Sequence, residues 1–256
     1  MKTVLVLSAH LDDAAFSVGP LLAEWAADAR VIVATLFTQS VINPEGFALA
    51  CQLDKGLPAS VDYMKIRRDE DLKWSEEMGV EVIHGPFREA PHRGYHSAKA
   101  LFESIIITDE IEADLLPWLQ DLIHSYTPDL VLVPLCIGNH VDHQWVRKIA
   151  EAILAGRNLL VYYKDQPYAE KSDSSVAHTK PSDHGPWREL EVSLSQDLLR
   201  CAHLATEAYE TQIPFQFGSV ERMKELLSSA WGSKLTLFHT AEIPAFIKPL
   251  SNPILS

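Results

Sequence analysis

Two short stretches of this chain carry the residue types that do hydrolytic chemistry. The first is Ala9-His10-Leu11-Asp12-Asp13, directly after the apolar run at 3–7. The second is Asn139-His140-Val141-Asp142-His143, shortly after the apolar run at 130–135. Together they offer three imidazoles and three carboxylates. A catalytic zinc takes three protein ligands of the His and carboxylate type and keeps one open position. Such a cation lowers the pKa of a bound water and polarises a carbonyl. A further carboxylate can then act as base, and a further imidazole can stabilise the charge that develops on the carbonyl oxygen. The two stretches hold a candidate for each task, provided that they converge. Asp is also a common helix N-cap, so the first stretch alone is also readable as a capped turn. The second stretch makes a shared metal site the better reading.

Convergence requires a particular fold. The continuous apolar run at 3–7 reads as a strand buried on both faces, and 31–36, 80–83, 130–135 and 159–163 read as further strands. Between them, 20–27, 66–78, 109–126 and 143–154 read as helices, with Gly79 and Pro128 as exit signals. Strands alternating with helices predict an α/β protein: a Rossmann-like three-layer domain with a mostly parallel sheet. Ligands of such sheets bind at the strand carboxyl ends, where both stretches fall. The segments 38–60 and 166–187 read as long loops, and 189–231 as mostly helical, followed by a strand at 234–238. No linker or repeat divides residues 1–256, which predicts one domain.

Composition narrows the function classes. The chain has 256 residues, 47% of them hydrophobic, and a formal net charge of -13. The acidic balance argues against nucleic acid as a partner. No stretch approaches the ~20 apolar residues of a membrane helix, and the first apolar run is too short for a signal peptide. Cys51, Cys136 and Cys201 form no CxxC pair, so a reducing, cytoplasmic setting is expected. Whether the chain forms a homo-oligomer is left open by this pattern.

The motifs resemble those of the LmbE and PIG-L family of zinc-dependent N-acetylglucosamine deacetylases. That family shows Ala-His-Pro-Asp-Asp-Glu after its first strand and His-x-Asp-His after a later one. Arg67-x-x-Glu70 with Gly79, and Tyr209-Glu210-Thr211-Gln212, are similar to further family patterns. The resemblance implies that His10, Asp13 and His143 bind zinc and that Asp12 is the general base. It implies that His140 stabilises the oxyanion, that Asp142 orients His140, and that Arg67 contacts the substrate. The implied reaction removes an N-acetyl or other acyl group from a small-molecule amino sugar or its glycoside. Leu11 and Ala14 stand where the family has Pro and Glu, and Gly138 stands where some relatives carry a mobile tyrosine.

Several neighbours enter the same expectation. The donor-rich segment 88–96, with His92 and His96, follows one predicted strand, and Asp165 and Tyr168 follow another. Trp74, Trp118 and Trp145 lie on predicted helices and read as core. A His2Asp donor set also suits ferrous iron or cobalt. Two other readings stay open on the residues: a metal-dependent amidase or esterase on a non-sugar metabolite, and a non-catalytic binding protein that kept the cage.

Overall fold

The computed structural model describes residues 1–157, 159–171 and 188–239. The strands are β1 (Lys2–Ser8), β2 (Ala29–Thr35), β3 (Glu81–His84), β4 (Leu130–Pro134), β5 (Leu160–Tyr163), β6 (Arg188–Ser193) and β7 (Lys234–His239). The helices are α1 (Asp13–Ala26), α2 (Gly46–Leu53), α3 (Tyr63–Met78), α4 (Ala98–Leu101), α5 (Glu112–Tyr126), α6 (Val141–Leu154), α7 (Tyr168–Lys171), α8 (Gln196–Thr206), α9 (Ile213–Gln216) and α10 (Val220–Trp231). The sheet order is β3-β2-β1-β4-β5-β7-β6. The first five strands in this order pair in parallel, while β7 joins antiparallel to both β5 and β6.

Alternating side chains of the central strands build two cores. Val4, Val6, Val33 and Leu132 pack with Phe16 of α1, Trp74 of α3 and Trp231 of α10. Leu5, Leu7, Ile32 and Val131 face the other way, onto Leu115 and Leu119 of α5 and Trp145 and Ile149 of α6. Because both faces are covered, the strands must be apolar throughout. That requirement explains why the runs show no period of two. It also gives the expected mostly parallel, three-layer α/β arrangement.

The chain order reverses on either side of the β1–β4 pair, which aligns Val4 with Leu130 and Val6 with Leu132. This register brings both strands to their carboxyl ends at the same level, opening a crevice at the switch point. His10 leaves β1 into that crevice, and His140 and His143 leave β4 into it.

Four elements differ from the sequence expectation, among them α7, a four-residue helix inside the segment read as a second loop. α1 begins at Asp13 and carries Pro20 inside it, whereas the sequence places the helix start at Pro20. An internal proline leaves the carbonyl four residues earlier without its helical donor. Here Trp231 Nε1 donates to the Phe16 carbonyl at 2.8 Å, so a distant residue repairs the break. α2 lies inside the segment read as a loop. It spans eight residues with only Ala48 and Gln52 buried, so it shows little apolar periodicity. β6 replaces the start of the segment read as helical. It is a sheet-edge strand with a largely exposed, charged face, and its pattern carries no buried stripe. The rest of the segment read as a second loop, at 172–187, lies outside the described residues, as do His178 and His184.

Candidate active site

The turn after β1 presents two carboxylates in different directions. Asp13 turns back: its Oδ2 accepts the His10 backbone N–H at 2.7 Å. Asp12 stands at the N-cap position of α1 but makes no side-chain cap bond. Its carboxylate turns into the crevice, where Gln216 Nε2 donates to Oδ2 at 2.6 Å and Arg67 Nη2 reaches Oδ1 at 3.4 Å. The capping reading of Asp12 is therefore excluded by its own partners. Burial raises its pKa to about 6, against the downward pull of Arg67.

The turn after β4 does the equivalent with imidazoles. Cys136, Gly138 and Asn139 all take positive φ, which turns the backbone sharply enough to seat His140 at the N-cap of α6. A Cβ on Gly138 would lie 3.0–3.2 Å from the Tyr168 side chain. The bare glycine thus makes room for a tyrosine delivered from α7, and the Tyr168 ring meets His143 edge-on at 5.7 Å.

The two ends converge. His10, His140 and His143 offer ring nitrogens that all lie within 4.8 Å of one another. Asp13 Oδ2 lies 3.4 Å from His10 Nδ1 and 3.2 Å from His143 Nε2. Ligands ~2.0–2.1 Å from a tetrahedral zinc are separated by roughly 3.3 Å, so these spacings are those of ligands sharing one ion. His143 Nε2 is buried without a hydrogen-bond partner, an orphan that a cation would satisfy. Its other nitrogen, Nδ1, is held by Asp165 Oδ1 at 2.6 Å. His10 Nε2 is likewise held by Asp142 Oδ2 at 2.9 Å. Each imidazole is thereby fixed by a carboxylate on one nitrogen and faces Asp13 with the other, the arrangement that orients metal-binding histidines. Burial lowers the pKa of His10, but Asp13 and Asp142 outweigh it and raise the pKa to about 10. The cage calls for positive charge, and a divalent cation supplies it. The residues fit such an ion.

His140 differs. Burial lowers its pKa to about 3, with His10 and His143 adding to the shift, so the ring is neutral. Its Nδ1 accepts the Asp142 backbone N–H at 3.2 Å, which leaves the proton on Nε2.

The structure corrects the expected task of Asp142. Its carboxylate lies 4.0 Å from His140 Nδ1, beyond hydrogen-bond range. It binds His10 instead, and receives Arg93 Nη2 at 2.7 Å and the Ala90 N–H at 3.1 Å. The reason is helical geometry: Asp142 sits in the first turn of α6, where its backbone N–H caps onto His140 and its side chain points back towards β1. Arg93 is fixed in turn by Asp109, at 3.0 Å from both Nε and Nη2, and Asp109 also accepts from Tyr95 and Trp145.

Arg67 lies in the crevice wall, with its terminal nitrogens turned to Asp12 and Glu89. Glu70, three residues on, does not pair with it; it accepts both the N–H and the hydroxyl of Thr211 at 2.7 and 2.8 Å. That clamp explains the Tyr209–Gln212 pattern, since it brings Gln212 and Gln216 to the crevice. Ala14 is buried in the core, so no carboxylate stands at its position near the crevice. His92 lines the crevice and His96 is exposed. The sequence reading missed Asp109 and Gln216, and it gave Glu89 and Arg93 only as members of the donor-rich segment 88–96. Among the described residues the crevice holds a cavity of about 250 Å³, floored by His10, Asp12, Asp13 and His140.

A doubly covered sheet with imidazoles and carboxylates gathered at its switch point defines an α/β protein that works on a small molecule at its strand ends. The comparisons make this specific: residues 5–154 match the family model PIG-L, GlcNAc-PI de-N-acetylase, and the chain belongs to that family. It is 31% identical over 194 residues to 2'-N-acetylparomamine deacetylase of Streptomyces fradiae, covering 74% of this chain and 67% of the relative. In structure it is similar to teicoplanin deacetylase in a zinc-inhibited form, with a TM-score of 0.78 at 23% identity over 93% of this chain and 97% of the other. It is also similar to A40926 pseudoaglycone deacetylase, with a TM-score of 0.77 at 25% identity over 94% and 98% of the two chains. The relatives are deacetylases. Asp165, Tyr168, Gln212 and Gln216 all lie beyond the segment that the family model matches.

Proposed function

We propose that this chain is a metal-dependent N-deacetylase acting on an amino-sugar glycoside, and that residues 1–256 work as one catalytic domain in the cytoplasm. The observation that carries the reading is Asp12: a buried carboxylate with no structural bond of its own on α1, aimed into a cavity beside a preformed cation cage. His10, Asp13 and His143 hold the ion, zinc in the first instance, with ferrous iron or cobalt as alternatives. Asp13 is preferred to His140 as the third ligand because its Oδ2 stands 3.4 and 3.2 Å from the two imidazoles, near the roughly 3.3 Å between ligands of one ion, while His140 Nδ1 is spent on a backbone N–H. When bound, the cation polarises the amide carbonyl and makes water a competent nucleophile near neutral pH.

The remaining work falls to side chains. Asp12 removes a proton from the attacking water and returns it to the amine as the C–N bond breaks, giving a carboxylate and a free amine. Neutral His140 donates its Nε2–H to the carbonyl oxygen as negative charge builds there. Asp142 and Asp165 hold His10 and His143 in register. Arg67 and Gln216 fix Asp12, and Arg67 favours its ionised form while presenting its guanidinium edge to the substrate. Among the described residues no helix is long and apolar enough to cross a membrane, which agrees with a small, water-borne substrate.

Asp165→Asn is expected to weaken metal affinity by about 10–100-fold, because the carboxylate that orients the His143 ring is replaced by a neutral amide. Competition with a chelator reads this directly.

The reading is tested with metal-loaded protein and three substrate groups: N-acetylated aminoglycoside pseudodisaccharides, simple N-acetylglucosaminides, and non-sugar acetamides. Equal amounts of acetate and free amine are expected from the sugars. Turnover confined to the non-sugar amides would establish a metabolite amidase in its place. Binding without turnover in any group would establish a non-catalytic relative.

A further inference from the structure

The deacetylase reading gives Arg93 no task, yet this residue reaches towards the cage. His10 is held by Asp142 Oδ2 at 2.9 Å, and the same oxygen accepts the Ala90 N–H at 3.1 Å. Asp142 Oδ1 accepts from Arg93 Nη2 at 2.7 Å. Arg93 also grips Asp109 in a fork, Nε to Oδ1 and Nη2 to Oδ2, each at 3.0 Å. Its Nη1 donates to the Arg88 carbonyl, and its guanidinium lies over the Phe37 ring at 4.6 Å. Asp109 accepts from the Tyr95 hydroxyl at 2.9 Å and from Trp145 Nε1 at 2.8 Å. Asp142 and Trp145 both belong to α6. The contacts therefore leave α6 at one residue, pass through Arg93 and Asp109, and return to α6 one turn later.

Burial shows what this closed path demands. The Arg93 side chain is 8% exposed, and those of Asp109 and Asp142 are 1% and 0%. Buried charges are costly unless paired and hydrogen-bonded. A guanidinium that bridges two carboxylates meets that demand with a planar fork, which an ammonium lacks. The other imidazole is supported differently. Asp165, behind His143, is anchored by the Ile137 backbone N–H at 2.9 Å, whereas Asp142 Oδ1 is anchored by the Arg93 side chain. A carboxylate behind a metal-binding imidazole sets the orientation and the tautomer of the ring. Here Asp142 accepts the Nε2–H of His10 and leaves the Nδ1 lone pair turned to Asp13.

We infer that Arg93 is a positioning residue for the metal cage: it fixes Asp142, Asp142 fixes His10, and Asp109, held by Tyr95 and Trp145, fixes Arg93. The inference rests on the cation cage of the deacetylase reading. Its consequence is a loss of metal affinity from a residue that does not touch the ion. Outer partners of metal ligands are worth about 10–100-fold in affinity. Arg93 stands one contact further out, so about tenfold is expected. Residues that act through one path give losses that do not add.

The experiment measures the zinc affinity of the full chain by competition with a chelator, and the melting temperature of the metal-free protein. Arg93→Met is expected to bind zinc about tenfold more weakly than wild type. In an Asp142→Asn background the same change is expected to cost less than about threefold, because the path to His10 is already cut. Where loss of the charge unfolds the chain, Arg93→Lys takes its place: it keeps the charge but not the fork, and the same two outcomes are expected. A lower melting temperature with zinc affinity within about threefold of wild type marks a purely structural ion pair and overturns the inference. An equal loss of affinity in both backgrounds overturns it as well. Turnover of the N-acetylated sugars by wild type is read alongside. Turnover with unchanged affinity in the variants removes the positioning role and leaves the deacetylase standing. The expected affinity losses without turnover do the reverse. A wild-type chain that holds no zinc overturns the cage, and the positioning role with it.

Discussion

Asp12→Ala is expected to keep its metal and to lose about 10²–10⁴ of kcat, the range typical for removal of a general acid–base group. Metal retention follows from geometry: Asp12 bonds Arg67 and Gln216, while the cage contacts are made by its neighbour Asp13. The loss of rate follows because, among the described residues, the other carboxylates near the cage are tied elsewhere, Glu89 to Arg67 among them. Asp142 is tied to His10 and Arg93, and Asp165 to His143. The pH profile carries the same signature. Burial raises Asp12 to about 6, while Arg67 and His10 pull it down. A base works only when ionised, so the rate falls as pH drops through this pKa. A bound cation pulls in the same direction as Arg67, which puts the acid limb of kcat at or below about pH 6. Arg67→Met removes the largest downward pull and moves the limb to higher pH. Elemental analysis and kcat profiles of the three proteins check these outcomes. A variant without Asp12 that turns over at the wild-type rate, or one that loses its metal, would remove Asp12 from the role of base.

The sequence showed the parts of this site that lie at the ends of strongly apolar runs. β1 and β4 are buried on both faces, so their runs are continuous and their ends are sharp. A histidine and two aspartates immediately after such a run stand where the chain leaves the core, at the strand end where ligands of such sheets bind. The supporting residues lack that signal. Gln216 lies 204 positions from Asp12 and Arg93 lies 49 from Asp142; the one ends the four-residue helix α9 and the other sits in an irregular segment, and only the folded backbone brings each near. Asp165 is intermediate. It follows β5 directly, so a third carboxylate at a third strand end could be singled out, but its partner could not be read. The task of Asp142 was misplaced for a related reason. Its closeness to His140 in sequence suggests a side-chain bond, whereas the first turn of a helix gives that bond to the backbone.

The same logic explains which elements were misread. α1 extends through Pro20 because Trp231 supplies the missing hydrogen bond from another helix, information that no local window contains. α2 is only partly buried, so burial leaves little stripe in its sequence. Yet α2 supplies Phe47 and Ala48 to the cavity wall. The candidate metal ligands are thus written in the most regular part of the chain, and part of the cavity wall in the least regular part.

His143→Ala is expected to abolish stoichiometric metal binding, whereas His140→Ala is expected to keep the metal and lower kcat by about 10²–10³, the usual effect of removing one oxyanion donor. The pair separates two donor sets that both include His10 and His143: one completed by Asp13, the other by His140. His143 Nε2 is a buried orphan of the site, 3.2 Å from Asp13 and backed by Asp165. Among the described residues no carboxylate is hydrogen-bonded to His140, Asp142 standing off at 4.0 Å, and its Nδ1 is spent on a backbone N–H. A ligand that binds only the folded state raises its stability in proportion to RT ln(1 + [L]/Kd). Wild type and His140→Ala should therefore melt at a lower temperature when chelated, and His143→Ala should melt at the same temperature with or without chelator. If His140→Ala loses the ion while Asp13→Ala retains it, the three imidazoles form the cage, and Asp13 serves only to tie the His10 backbone to the start of α1.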